Sequence, residues 1–377
     1  MKRVLFFLES LKGGGAEKVL FDIIRTLPKN KYYVKVLLVT DNGVYDEEIK
    51  KYCVYESILH VIPNKEHIMK RILYSLKYRL IYMSPSKWIY KKYIGNDWDI
   101  VIGFVEGFAT RVVSFADMNL IKKVAWVHVD PIERDYADNY YRSFDEQKKA
   151  YKSFHQIVCV SNSVAKAFEN KWGIKNNVIT IYNPIDKVDI IKKSNEKIKM
   201  HKLWKIQFVS SGRLVPQKGF DRLIKIMRKL KDCNDTDFGL IILGEGEKYE
   251  ELLAQIKFYH LEKNIKLIGF QSNPYPYVSM SDVFICSSRA EGYSLVIAEA
   301  IILGLGIIST NCSGPNELLD YGHYGLLVEN NDKALFEAIQ LVLNNPTLIK
   351  KLQSQARKRS QWFNIEAACR ELQEKVL

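Results

Sequence analysis

Short apolar runs recur along the whole chain, each followed by a stretch of helical periodicity, and this alternation constrains the fold more than any other feature. Runs at 3–8, 34–40, 100–104, 124–128, 157–161 and 178–182 are apolar on successive positions rather than on alternate ones. A strand with that pattern is buried on both faces, as in a parallel sheet covered by helices. The second half repeats the arrangement at 206–211, 239–243, 265–268, 283–286, 306–310 and 325–328, with helices expected at 220–230, 248–259, 295–303 and 333–343. A first helix is expected from Ala16 to about Leu27. Alternating β and α with short connections predicts α/β architecture: two doubly wound, Rossmann-like domains. With 377 residues, two domains of ordinary size fit. The boundary is expected near Asn183-Pro184-Ile185-Asp186, giving domains 1–187 and 188–355 with a terminal helix at 356–377; the polar stretch 187–202 reads equally as a helix continuing the first domain.

Several classes are excluded. The chain is 47% hydrophobic and 26% charged, which suits a globular protein and not a disordered or collagenous one. No apolar run approaches the roughly 18 residues of a membrane-spanning helix. The opening Met1-Lys2-Arg3 and its apolar run resemble a signal peptide only superficially, because Glu9 ends the run; a first strand and a cytoplasmic protein are expected. The six cysteines are scattered without C-x-x-C spacing, so neither a zinc site nor a redox pair is expected, and Cys159 and Cys286 read as small buried hydrophobes.

The net charge of +13 is unevenly placed. Residues 65–93 hold Lys65, Lys70, Arg71, Lys77, Arg79, Lys87, Lys91 and Lys92 against one acid, Glu66, interleaved with aliphatic and aromatic residues including Trp88. Such a stretch fits an interfacial helix on anionic lipid. It also fits a solvated basic helix packed on its own domain. Nucleic acid is not expected as a partner, since no nucleic-acid motif accompanies the charge.

Three loops carry chemistry. Gly13-Gly14-Gly15 joins the first strand to the first helix, where backbone N–H groups and the helix dipole can face an anion; neither the Walker nor the dinucleotide spacing is present, and glycines also simply make tight turns. In Gly212-Arg213-Leu214-Val215-Pro216-Gln217-Lys218-Gly219, two cations sit in a loop after a strand, which suits a pyrophosphate, with surface salt bridges as the bland reading. In Glu291-Gly292-Tyr293-Ser294-Leu295-Val296-Ile297-Ala298-Glu299, the two carboxylates are about 12 Å apart along a helix axis. That is too far for a glycosidase pair. They can hold two parts of one long ligand whose phosphate lies on the helix N-terminus near Ser294 and Leu295; Glu299 can also be a helix-surface carboxylate.

Taken in order, Gly-Gly-Gly-Ala-Glu-Lys, Gly-Arg-Leu-x-x-x-Lys-Gly and Glu-x7-Glu resemble the retaining, GT-B-fold glycosyltransferases of family 4 (group 1), of the surface-polysaccharide type. Val160-Ser161-Asn162-Ser163, Tyr182-Asn183-Pro184, Leu243-Gly244-Glu245-Gly246 and Ser313-Gly314-Pro315-Asn316-Glu317 support it. The resemblance implies two domains facing across a cleft and transfer of a sugar from a nucleotide-sugar with retention. It implies that Arg213 and Lys218 bind the donor diphosphate, Glu291 orients the donor sugar, and Glu299 binds the ribose hydroxyls. Gly14, Gly15, Gly212, Gly244, Gly292, Tyr293, Ser294 and Leu295 would line the donor site, and His128 the acceptor side. It names no general base: the leaving phosphate takes the acceptor's proton. The D-x-D pairs Asp97-Trp98-Asp99 and Asp235-Thr236-Asp237 precede strands, at the wrong end for a ligand, so no metal and no other cofactor is expected.

The expected function is therefore transfer of a hexose or N-acetylhexosamine, with UDP the expected nucleotide, to a lipid-linked saccharide acceptor at the inner face of the cell membrane. Lys70, Arg71, Lys77, Arg79, Lys87, Trp88, Lys91 and Lys92 would meet the anionic membrane surface. The alternatives are a soluble sugar or sugar-phosphate glucosyltransferase and an inactive GT-B partner subunit.

Overall fold

The structure is a computed structural model, and it describes residues 1–63, 67–133 and 136–377. Lys65 and Glu66 lie outside the described residues.

The chain divides into two units, 1–184 with 366–377, and 185–365. The first is built on seven strands: β1 (Lys2–Leu8), β2 (Tyr32–Thr40), β3 (Val54–Leu59), β4 (Ile100–Gly103), β5 (Lys122–Val127), β6 (Gln156–Cys159) and β7 (Val178–Thr180). Their order is β3-β2-β1-β4-β5-β6-β7, and every pair is parallel. Val4 to Leu8 of β1 are fully buried, as expected of a strand with helices on both faces. Phe6, Phe104 and Trp126 make a continuous aromatic packing, with ring centroids 5.7 and 4.8 Å apart.

Strand β3 was not expected. It is an edge strand, half-exposed and interrupted by Glu56 and Ser57, so it lacks the continuous apolar run that marks a central strand. Glu56 is tied to β2 through Lys35 at 2.6 Å. The terminal helix Ile365–Lys375 belongs almost wholly to this unit. Cys369 Sγ lies 2.9 Å from Thr26 Oγ1, and Lys122 Nζ donates to the carbonyl of Val376 at 2.7 Å.

The second unit contains β8 (Ile206–Ser211), β9 (Phe238–Leu243), β10 (Ile265–Leu267), β11 (Val283–Cys286), β12 (Gly306–Thr310) and β13 (Leu326–Val328), in the order β10-β9-β8-β11-β12-β13, again all parallel. Phe208, Leu240, Ile242, Ile285 and Ile308 pack under the helices Phe220–Cys233 and Asp332–Asn344. The helix Lys187–Ser194, capped by Asp186 Oδ1 on the Asp189 N–H at 2.9 Å, belongs to this unit rather than continuing the first.

In each sheet the strand order reverses next to the first strand, between β1 and β4 and between β8 and β11. At such a switch point the loops leave the carboxyl ends in opposite directions and open a crevice for ligands. All three loops singled out from the sequence stand at these two points. The acidic D-x-D pairs stand at the other end: Asp99 accepts from the Arg3 N–H at 2.7 Å and Asp237 from the Lys205 N–H at 2.9 Å, so each ties the amino ends of neighbouring strands.

Candidate active site

In the second unit, the loop after β8 and the loop after β11 are stitched together. The Arg289 N–H donates to the Gln217 carbonyl at 2.7 Å, Gln217 Nε2 to the Ala290 carbonyl at 2.7 Å, and Ser287 Oγ to the Lys218 carbonyl at 2.9 Å. Arg289 also forks onto Asp221 at 2.9 and 2.8 Å. Gly219 makes the close approach possible. Its φ is +67°, and a Cβ there would lie 2.1 Å from the Ser287 carbonyl oxygen.

This stitching brings Lys218 and Glu291, 73 positions apart, into contact: Nζ lies 2.5 Å from Oε1. Their side chains are 18% and 7% exposed. Burial alone would depress the Lys218 ammonium, but the neighbouring Glu291 charge and hydrogen bond outweigh it, and the net shift is upward, with Arg213 opposing. Lys218 is therefore a cation at neutral pH. Ser288 Oγ donates to the same Glu291 oxygen at 2.6 Å. The Ser288 carbonyl in turn accepts from Thr310 Oγ1 at 2.6 Å and Arg222 Nη2 at 2.8 Å. Ser288, Arg222 and Thr310 were not singled out from the sequence. Only the parallel placement of β8, β11 and β12 makes them neighbours. Lys218, Ser288 and Glu291, with Ser210, Phe284 and Val296, line a small hollow.

Glu291 and Gly292 precede the helix Leu295–Ile302. Its N-cap is Ser294, yet the Ser294 hydroxyl makes no cap hydrogen bond and is buried without a partner. The first-turn N–H groups thus remain open to an external acceptor, with the positive end of the helix dipole behind them. Glu299, on the second turn, is buried rather than on the helix surface, and accepts from Tyr275 OH at 3.2 Å. Tyr293 and Gly292 are buried, Leu295 is half-buried, and Gly244 meets Gly212 backbone to backbone. Arg213 is exposed.

In the first unit, Gly14 caps the helix Gly15–Thr26, and the Glu17 carboxylate folds back over it: a Cβ on Gly14 would lie 2.2 Å from Glu17 Oε2. Glu17 thus occupies the seat that an anion would take at this helix end. His128 directly follows β5. Its Nε2–H donates to the Phe104 carbonyl at 2.8 Å, and burial pushes the imidazole down to about 4. The ring is therefore neutral at pH 7, with Nδ1 as its lone-pair atom. Glu106 Oε1 accepts from the backbone N–H groups of His128 at 2.5 Å and Val129 at 2.9 Å, a support not foreseen from the sequence.

The basic stretch forms the helix Ile68–Met83 and two short turns, Ser86–Ile89 and Tyr90–Ile94. Ile68, Met69, Ile72, Leu73, Leu76, Leu80 and Met83 are all at least half exposed, and Ile81 is the one buried residue of the long helix. Lys70, Arg71, Lys77, Arg79, Lys87 and Lys91 are exposed among them, and Lys92 Nζ lies 4.5 Å over the exposed Trp88 ring. Among the described residues no helix is long and apolar enough to cross a membrane.

Two doubly wound parallel-sheet units of this topology define the GT-B fold. Residues 13–188 match the family described as Glycosyltransferase Family 4 and residues 191–359 the family described as Glycosyl transferases group 1. The chain belongs to this family of group 1 glycosyltransferases. A protein of Haemophilus influenzae named as a glycosyltransferase is 27% identical over 373 residues, 97% of each chain. The N-acetylgalactosamine-N,N'-diacetylbacillosaminyl-diphospho-undecaprenol 4-alpha-N-acetylgalactosaminyltransferase of Campylobacter jejuni is 28% identical over 381 residues, 97% of this chain and 96% of the other. HepE of Anabaena, crystallised with UDP and glucose, superposes with a TM-score of 0.75 over 100% of this chain and 99% of its own, at 19% identity, a likeness of fold.

Proposed function

We propose that the chain transfers a hexose or N-acetylhexosamine from a UDP-sugar, with retention, to a lipid-linked saccharide in the assembly of a surface polysaccharide. The observation that carries this reading is the Lys218–Glu291 pair beside an open helix N-terminus at the switch point of the second sheet. A nucleoside diphosphate-sugar matches that arrangement part by part. Its diphosphate suits the ammonium of Lys218, the guanidinium of Arg213 and the first-turn N–H groups. Its sugar hydroxyls suit the Glu291 carboxylate, and its ribose hydroxyls suit Glu299, two helical turns away. When the donor breaks, charge develops on the leaving diphosphate, and these fixed cations and dipoles stabilise it without reorganising. The leaving phosphate takes the acceptor's proton, so the protein supplies positioning rather than a general base. On the other unit, neutral His128 offers Nδ1 as a hydrogen-bond acceptor at the acceptor side, after β5 of the sheet whose first strand leads into the Gly14–Gly15 loop.

The lipid-linked acceptor is supported by the Campylobacter relative, named for a diphospho-undecaprenol-linked acceptor, and by the exposed helix Ile68–Met83. Apolar residues exposed among four cations, with Trp88 nearby, have the chemistry of a helix lying in the headgroup region of an anionic bilayer. The UDP assignment is supported by the neighbour crystallised with UDP and glucose.

The test is thermal unfolding with UDP, GDP and ADP and their common sugars, on the wild type and Lys218→Ala. A ligand at 100 times its Kd adds about 2.7 kcal/mol of stability. A shift with UDP and its sugars, lost in Lys218→Ala, is the expected result. No shift with any nucleotide, and no release of UDP from UDP-sugars in the presence of anionic vesicles, refutes it.

A further inference from the structure

Glu9 directly follows β1 at the switch point of the first sheet, and its carboxyl stands in an unusual setting. Burial raises its pKa, the hydroxyls of Tyr82 and Tyr140 draw it back, and Glu17 adds to the rise; among the described residues no cation is one of the groups that act on it. Tyr140 OH donates to Oε1 at 3.2 Å. Glu9 is half-buried, and holding a carboxylate there without a cation is costlier than holding a neutral amide in a purely structural place. Among the described residues, two phenols occupy two of its roughly four lone-pair positions.

The surroundings are built around this group from three further segments. Tyr82 comes from the last turn of the helix Ile68–Met83, Phe108 from the helix after β4, and Tyr140 from the segment after β5. The rings of Tyr82 and Tyr140 lie 4.5 and 6.4 Å from that of Phe108. Gly107, with φ +94°, lets Tyr140 lie across the loop, since a Cβ there would come within 2.7 Å of the ring. Tyr78, which is 40% exposed, packs on Tyr82 at 4.8 Å, so a row of tyrosines leads from the outer surface of the exposed helix to the carboxyl. A carboxylate with spare lone pairs beside aromatic faces is suited to a neutral polyhydroxylated ligand. The hydroxyls find a charged acceptor, and the C–H face of a pyranose finds a ring.

We propose that Glu9, flanked by Tyr82 and Tyr140, is the recognition group for the terminal sugar of the acceptor: its carboxylate accepts a hydrogen bond from a sugar hydroxyl, and the tyrosine rings take the sugar's apolar face. This deepens the reading above and rests on the acceptor being a saccharide. A site built to hydrogen-bond a hydroxyl through a charged group discriminates against ligands lacking it, so Glu9 would set acceptor specificity.

The experiment titrates octyl glycosides of glucose, galactose, N-acetylglucosamine and N-acetylgalactosamine into the full chain, reading saturation-transfer NMR. The same samples are tested for the UDP thermal shift. The variants are Glu9→Gln, which removes a half-buried charge and is expected to fold, Tyr140→Phe, and Lys218→Ala as the donor-side counterpart. At least one glycoside is expected to bind the wild type and to lose about tenfold or more in affinity in Glu9→Gln, the scale of one hydrogen bond to a charged group. Tyr140→Phe weakens binding less, and both variants keep the UDP shift; Lys218→Ala keeps glycoside binding and loses the UDP shift. Binding unchanged in Glu9→Gln and Tyr140→Phe overturns the proposal, as does a wild type that binds none of the four glycosides. A wild type that binds a glycoside through Glu9 yet no nucleotide upholds this subsite and refutes the donor reading instead.

Discussion

Removing either partner of the Lys218–Glu291 pair should destabilise the second unit far more than removing both. The pair is closed to 2.5 Å with side chains 18% and 7% exposed, and the carboxylate has one further donor, Ser288. Glu291→Gln strands an ammonium that Arg213 already opposes; Lys218→Met strands a carboxylate held only by the Ser288 hydroxyl. Breaking a fully buried pair costs about 3–5 kcal/mol, and the residual exposure of Lys218 brings each single change to about 2–3 kcal/mol. The double variant leaves no unpaired charge and should lose about 1 kcal/mol, so the coupling is about 3–5 kcal/mol, at or above the upper end for residues in contact. For a unit of this size each single change lowers Tm by roughly 5–10 °C. Urea and thermal unfolding of the wild type, both single variants and the double variant, in buffer free of phosphate and nucleotide, measure the cycle. Additivity within about 0.5 kcal/mol would refute the reasoning, because the contact would then be a solvent-screened pair of no consequence.

Three further outcomes are expected. Gly219→Ala forces a Cβ onto the Ser287 carbonyl at a positive φ; it should cost about 2 kcal/mol or more in urea unfolding and weaken UDP binding by separating the loops that carry Lys218 and Glu291. His128 is depressed in the folded state to about 4, so the unfolded chain binds the proton first and stability falls as pH drops from about 6.5 towards 4. That loss, up to about 3 kcal/mol, should vanish in His128→Asn when urea midpoints are compared at pH 7 and pH 4.5. Replacing Lys70, Arg71, Lys77 and Arg79 by Gln should lower binding to anionic vesicles by up to about 10³-fold at low salt, at about 1 kcal/mol per charge, with little change on neutral vesicles in a sedimentation assay.

The division between sequence and structure follows from the range of each interaction. The parallel sheets were legible because a strand covered on both faces must be apolar at successive positions, a local property that survives in β1, β8 and β11. The loops after β8 and β11 were legible for the same reason: glycines, paired cations and spaced carboxylates stand within single turns after a strand. The basic face of residues 68–92 was legible as composition, and its exposure of Leu73, Leu76 and Leu80 was decided by the fold. Strand β3 was missed because an edge strand half open to water need not be apolar. Ser288, Arg222 and Thr310 are ordinary residue types in ordinary places until the strand order joins them, with Arg222 and Thr310 holding the Ser288 carbonyl and the Ser288 hydroxyl on the Glu291 carboxylate. Glu9 and Tyr140 are 131 positions apart, and nothing local to either marks them. Local periodicity and turn chemistry are written residue by residue in the chain. Which loops become neighbours is decided only when the strands choose their order, and it is that choice that turns scattered polar residues into a site.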